Sequence, residues 1–250
     1  MCHTMTNEPK ANAAERIARA LLVEILRGEH KPGTRLPTVR VLAQRFDVNP
    51  STIQRVLARL EGTGLVAVGH GSGTLVLDPL EHADLALLPE WLLARMDRPA
   101  EAKALLAGYL ELRRQLAARQ LSRLDVGEWD TFAPLLAQWR AAAGQGVAAF
   151  AQVDVALFRD LAQRSGGIVH ALVANSARRM FALVPEVAQA MYAAPQENLN
   201  DLAALVPELM RAKSARDREA LIEDALEAID TRTLRRFLRL LNQRKKEAKS

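Results

Sequence analysis

The sequence predicts a mainly α chain in two parts, a small N-terminal α+β module of helices and one hairpin followed by an all-helical antiparallel bundle. Three observations predict it. Apolar residues recur at helical spacing from about residue 12 onward. The stretch 65–77 places two short apolar runs on either side of a glycine cluster, as a hairpin does. Beyond about residue 99 amphipathic helical patterns continue with no strand signal.

The 250 residues exceed one average domain and fall short of three, and 49% hydrophobic with 25% charged residues suffices for a sizeable core. The expected divisions are a disordered tail at 1–11, the module at 12–78, a linker at 79–99, the bundle at 100–245 and a tail at 246–250. Pro79, Pro89 and Pro99 punctuate the linker around Leu85, Leu87, Leu88, Trp91, Leu92 and Leu93, so it should pack rather than swing free. A net charge of +5 favours a polyanionic partner. A single cysteine, Cys2, builds neither a disulfide framework nor a cysteine metal cluster. The first twenty residues lack the apolar core of a secretory signal, and no segment reaches the length of a membrane span, so a cytoplasmic protein is expected.

The first helix, roughly 12–27, aligns Ile17, Leu21, Leu22 and Ile25 on one stripe, and Lys31-Pro32-Gly33 breaks the pattern. A short second helix follows with Val39, Leu42, Ala43 and Phe46, then the break Asp47-Val48-Asn49. The third helix has a clear start. Asn49 can accept from free N–H groups of the first turn, and Pro50 at the first helical position loses nothing by lacking an N–H. Ile53, Val56, Leu57 and Leu60 give its buried face, Gly62 and Gly64 its stop. The opposite face carries Ser51, Gln54, Arg55, Ala58 and Arg59.

Two short helices joined by a tight turn, the second exposing small polar and basic residues, fit the major groove of double-stranded DNA. Ser51 and Thr52 can bond a phosphate at the helix N-terminus, while Gln54 and Arg55 can reach base edges. The runs 65–68 and 74–77 flank Gly69-His70-Gly71-Ser72-Gly73, a wing whose glycine tip lets backbone approach a phosphate or the minor groove; His70 is the side chain presented there. From Arg35 to Arg59 the only acid is Asp47, against Arg35, Arg40, Arg45, Arg55 and Arg59. That excess of four positive charges suits a phosphate backbone. The alternative is a winged helix-turn-helix used for protein contacts, with those arginines as a solvated face.

The stretch "PGTRLPTVRVLAQRFDVNPSTIQRVLARLEGTGLVAVGHGSGTLV" resembles the DNA-binding domain of the GntR family from end to end. The resemblance implies operator contacts by Arg40, in the "LPxxRxLA" stretch, by Asn49, Ser51, Thr52 and Gln54, and by His70 and Gly71 at the wing. The namesake of the family's FadR branch has arginines where this chain has Pro50 and Gln54, so its operator is not carried over. "LELRRQLAARQ" (110–120) and "FAQVDVALFRDLAQRSGG" (150–167) look like the all-helical ligand-binding domain of that branch. Many such domains hold a metal through one aspartate and three histidines. Asp154 fits the aspartate, but Phe158 stands where a histidine belongs and none follows His170, so no bound metal is expected.

In the effector domain the resemblance places Arg113 as an anchor for a ligand carboxylate or phosphate; a surface arginine beside Glu111 is the other reading. Asn175, Arg178 and Arg179 lie on a helix expected to line the bundle centre, with one of the two arginines facing inward. Tyr192, Trp129 and Trp139 read as core or cap residues. No phosphate loop, nucleophile elbow or metal-ligand pair nominates an enzyme. The expectation is a homodimeric regulator binding a palindromic operator and responding to an acyl-CoA or related organic acid. A metal-independent regulator of small carboxylates and a ligand-independent architectural DNA-binding protein remain alternatives.

Overall fold

The structure, a computed structural model, describes residues 8–69, 71–123, 132–164 and 168–247, and it divides into two compact units, Met1–Ala94 and Arg95–Ser250. In the first, α1 spans Glu8–Arg27, beginning four residues before the expected start and inside the segment read as a tail. Pro9 sits in its first turn, where the missing N–H costs nothing, and alanines carry the helix on. The predicted stripe is buried, Leu21 completely. Gly28, at φ +81°, ends the helix through bonds from its N–H to Ile25 and from Glu29 to Glu24, three residues ahead of the proline break.

Helix α2 (Val39–Arg45) is capped by Thr38, whose hydroxyl accepts from the Val41 N–H at 3.4 Å. Asp47, at φ +50°, turns the chain into α3 (Pro50–Glu61). Asn49 occupies the N-cap in extended conformation, but its side chain makes no capping bond; its backbone carbonyl accepts from Thr52 and Ile53 instead. Ile53, Val56, Leu57 and Leu60 are buried as the periodicity predicts, and Thr52 joins them.

The wing pairs β1 (Val66–Gly69) antiparallel with β2 (Gly73–Val76), from Val66 opposite Val76 to Gly69 opposite Gly73. On the other edge of β2, residues 33–36 run alongside it. The Gly33 and Leu36 N–H groups donate to Val76 and Thr74, and the Val76 N–H to Thr34, at 2.9 Å each. Gly64 makes the corner before β1 at φ +74°; a Cβ there would stand 2.6 Å from the His82 carbonyl oxygen, so only glycine fits.

Most of the segment read as a linker belongs to this first unit. Asp78 caps the single-turn α4 (Pro79–His82), Asp84 caps a 3-10 turn (Leu85–Leu87), and α5 spans Leu88–Ala94. Leu87 and Ala94 enter the core formed by α1, α2 and α3, with Trp91 packed against it. Arg27 Nε donates to the Ala94 carbonyl at 3.3 Å. Its apolar side chains find partners on α1, which is why the segment does not behave as a connector.

The second unit comprises α6 (Pro99–Leu121), α7 (Phe132–Ala143), α8 (Val147–Arg164), α9 (Ile168–Leu183), α10 (Pro185–Tyr192), α11 (Pro195–Arg211) and α12 (Ala215–Glu247), with no strand among the described residues. The long α12 packs chiefly along α6 and also on α10 and α11, while α8 packs on α9. Leu106, Leu110, Met180, Ile222, Phe237 and Leu241 are almost fully buried between them. Arg114 and Asp230 join α6 to α12 at 3.1 Å. The expected C-terminal tail is helical as far as Glu247, and Arg244 pairs with Glu186.

Candidate functional site

Two sites emerge, one in each unit. On the first, α3 buries its aliphatic side and leaves Ser51, Gln54 and Arg55 exposed; Arg35, Arg40, Asn49 and Gly71 are exposed as well. Thr52 departs from expectation. It is 8% exposed, and its hydroxyl lies 3.4 Å from Arg55 Nη2, so it steadies Arg55 while its own reach outward is small. His70 lies outside the described residues. Gly71 holds φ +78° at the wing tip, and the Arg35 side chain runs close to Gly73, at the tip end of β2.

The five arginines are not equivalent. Arg45 grips Glu24 of α1 with two bonds, at 2.6 and 3.0 Å, and its guanidinium lies 4.9 Å from the centre of the Phe46 ring. Burial of Glu24 works against its charge, but hydrogen bonds from Arg45 and His30 outweigh that and hold its carboxyl below the usual value. Arg59 pairs more loosely with Glu15, at 3.3 Å and largely exposed. Among the described residues Arg35 and Arg40 have no ion-pair partner. The positive excess legible in the sequence therefore contracts to Arg35, Arg40 and Arg55. Asn49, freed from capping, adds an exposed amide at the start of α3.

In the second unit Arg113, Asp154 and Phe158 line a cavity of ≈ 110 Å³ between α6, α7, α8, α10, α11 and α12. Arg113 reaches Asp154 at 3.7 Å, both side chains less than one-fifth exposed. Tyr192 donates its hydroxyl to the same carboxylate. Burial disfavours the Arg113 charge, yet Asp154 together with Tyr192, Asp230 and Tyr109 outweighs it, so the guanidinium stays protonated; burial and then Asp154 push the Tyr192 hydroxyl well above its usual range. Tyr192 is ringed by Phe150 at 5.2 Å and Phe181 at 5.7 Å. Asp154, held by a cation and a hydroxyl donor, is not presented as a metal ligand, and no group of three or more potential metal ligands converges among the described residues.

Asn175, Arg178 and Arg179 do not join this cavity. All three are exposed, and Asn175 and Arg178 border instead a more open groove of ≈ 570 Å³ between α8, α9 and α10. Neither arginine faces inward, because among the described residues of α9 the buried ones are Val173, Ala177 and Met180. Tyr192 and Trp139, read as core or cap residues, stand on the cavity wall, and Asn198 and Tyr109 were missed. Asn198 did leave a signal, a polar residue within the buried stripe of α11 that continues through Leu205 and Leu209. Trp129 lies outside the described residues.

Residues 13–76 match the family model described as bacterial regulatory proteins, gntR family. The chain is 30% identical over 177 residues to a fatty acid metabolism regulator protein of Escherichia fergusonii, covering 69% of this chain and 71% of that one. It is 48% identical over 65 residues to an uncharacterised HTH-type transcriptional regulator of Mycobacterium tuberculosis, a match covering 26% of this chain and 27% of that relative. Among solved structures, Lar, which controls expression of the Listeria monocytogenes agr system, shares the fold at TM-score 0.52 and 12% identity, over 94% of this chain and 99% of that one.

Proposed function

This chain belongs to the GntR family of bacterial regulatory proteins, in its FadR-type branch, and is a DNA-binding transcription regulator rather than an enzyme; from that premise we propose that it acts in the cytoplasm as a homodimer on a palindromic operator, tuned by a small molecule held in the helical unit. The observation that carries the DNA reading is the polar face of α3. Ser51 and Gln54 stand exposed over a buried aliphatic side, with Arg35 and Arg40 in no ion pair among the described residues. In this reading Arg35, Arg40 and Ser51 engage phosphates, Asn49, Gln54 and Arg55 address base edges, Thr52 positions Arg55, and His70 and Gly71 form the wing contact.

The effector is an acyl-CoA or a related organic acid. The acyl assignment draws on the fatty acid metabolism regulators among the relatives, with Arg113, Asp154 and Phe158 as its contacts. The cavity volume favours a short effector, since a site of roughly 150 Å³ is what benzene needs, and a long acyl chain requires the helices to part. A ligand shifts DNA affinity only by preferring one arrangement of the dimer. Fluorescence anisotropy of operator and random duplexes tests the reading head: Gln54→Ala should lose about 1–3 kcal/mol of discrimination at one base pair. Equal losses on both duplexes would remove Gln54 as a base reader. For the effector, thermal shifts with acyl-CoAs and short organic acids should reach about 2.7 kcal/mol at a hundredfold excess over the dissociation constant; silence from every compound leaves the architectural alternative.

A further inference from the structure

Two polar atoms at the Arg113 cavity have no hydrogen-bond partner among the described residues: the Asn198 Oδ1, which can only accept, and the Trp139 Nε1–H, which can only donate. Both are buried, and Asn198 is 93% enclosed. The amide nitrogen of Asn198 donates to the Met191 carbonyl at 3.1 Å, which fixes the amide so that its oxygen is the free end. Trp139 is fixed too, its ring stacked on Phe150 with centroids 6.5 Å apart. Buried polar groups without partners are costly, so a native fold retains them where something else completes them.

The cavity's charged pair is already balanced. Asp154 faces Arg113 and also accepts from Tyr192, so an entering anion meets a negative carboxylate and an entering cation meets Arg113. A plain hydrocarbon leaves Asn198 and Trp139 unsatisfied. We infer that the part of the effector enclosed in this cavity is uncharged and carries both a hydrogen-bond donor, for the Asn198 oxygen, and an acceptor, for the Trp139 N–H. Carboxamides and hydroxyacyl groups have that chemistry; free carboxylates and unsubstituted acyl tails do not. This rests on the reading of the cavity as the effector site and narrows it from organic acids to neutral polar acyl derivatives. The volume admits about four to five non-hydrogen atoms by comparison with benzene in a 150 Å³ cavity.

Propionamide, propionate and butanone, similar in size, separate the possibilities with the full chain. Calorimetric titration measures affinity, and the Trp139 indole N–H resonance, assigned by its loss in Trp139→Phe, reports on the site. Propionamide should move that resonance and bind on the order of tenfold more tightly than propionate or butanone, the effect of one well-made hydrogen bond. Trp139→Phe should lower propionamide affinity by a similar factor with an unchanged melting temperature; Asn198 is left intact because its amide nitrogen holds Met191. Propionate binding as tightly as propionamide overturns the inference, as does no response to propionamide, which would mean that water alone completes the pair. Operator affinity measured on the same samples keeps the readings apart, since a DNA affinity deaf to all effectors sinks regulation without changing the preference among the three probes.

Discussion

On the first unit Arg35 and Arg40 stand at the surface with no ion-pair partner among the described residues, whereas in the second Arg113 is turned inward and answered by Asp154 at 3.7 Å. The same side chain thus serves two ends. Left unanswered outside, it lowers the free energy of a polyanion brought alongside; answered inside, it contributes a fixed dipole and little net charge. Arg45 and Arg59 lie between these extremes, on the reading unit yet paired with Glu24 and Glu15 of α1. Which arginines face a partner is decided by where α1 places its acids.

The largest effect that bears on this contrast is expected at the inner pair. Arg113→Met leaves Asp154 enclosed without a cation, and since both groups retain some exposure the loss should fall at the low end for buried pairs, about 3 kcal/mol by chemical denaturation. Adding Asp154→Leu should recover most of it; a single variant as stable as the parent would show that the pair is not answered inside at all. At the outer arginines, Arg40→Ala should weaken binding to every duplex and reduce the salt slope by about 1. Arg59→Ala should change that slope less, because Glu15 already faces it. Matching slopes for the two variants would erase the distinction. The smallest effect belongs to Glu24, whose carboxyl is held below its ordinary value of 4.5. Its stabilisation is present above that value and fades as pH falls through the lowered one. Glu24→Gln should cost up to about 1 kcal/mol at neutral pH, given the exposure of Arg45, and nothing once the carboxyl is protonated, as read from urea midpoints at both conditions.

Local physics made the reading unit legible. Ile53, Val56, Leu57 and Leu60 recur at one spacing and all are buried, so the exposed side of α3 followed directly. What sequence hid was long-range. No local pattern joins Arg45 to Glu24, 21 positions away, or lays residues 33–36 along β2. The cavity was half legible, since Arg113, Asp154 and Phe158 came from family resemblance and do converge. The placement of Arg178 and Arg179 failed because α9 is apolar on several sides: Ile168, Val169 and Leu172 are exposed while Val173, Ala177 and Met180 are buried, and periodicity cannot set the phase of such a helix. Tyr192 reaches Asp154 across 38 residues, beyond any spacing rule.

The uncapped start of α3 bears on how this regulator can be improved in the laboratory. A side-chain cap is worth about 1 kcal/mol, and α3 has neither that bond nor an acid in its first turn. A library selected for heat resistance should therefore enrich Asn49→Asp, which mends the helix end and sets a negative group against the nucleic acid. Hardier clones would be poorer binders, and the two screens must be run together.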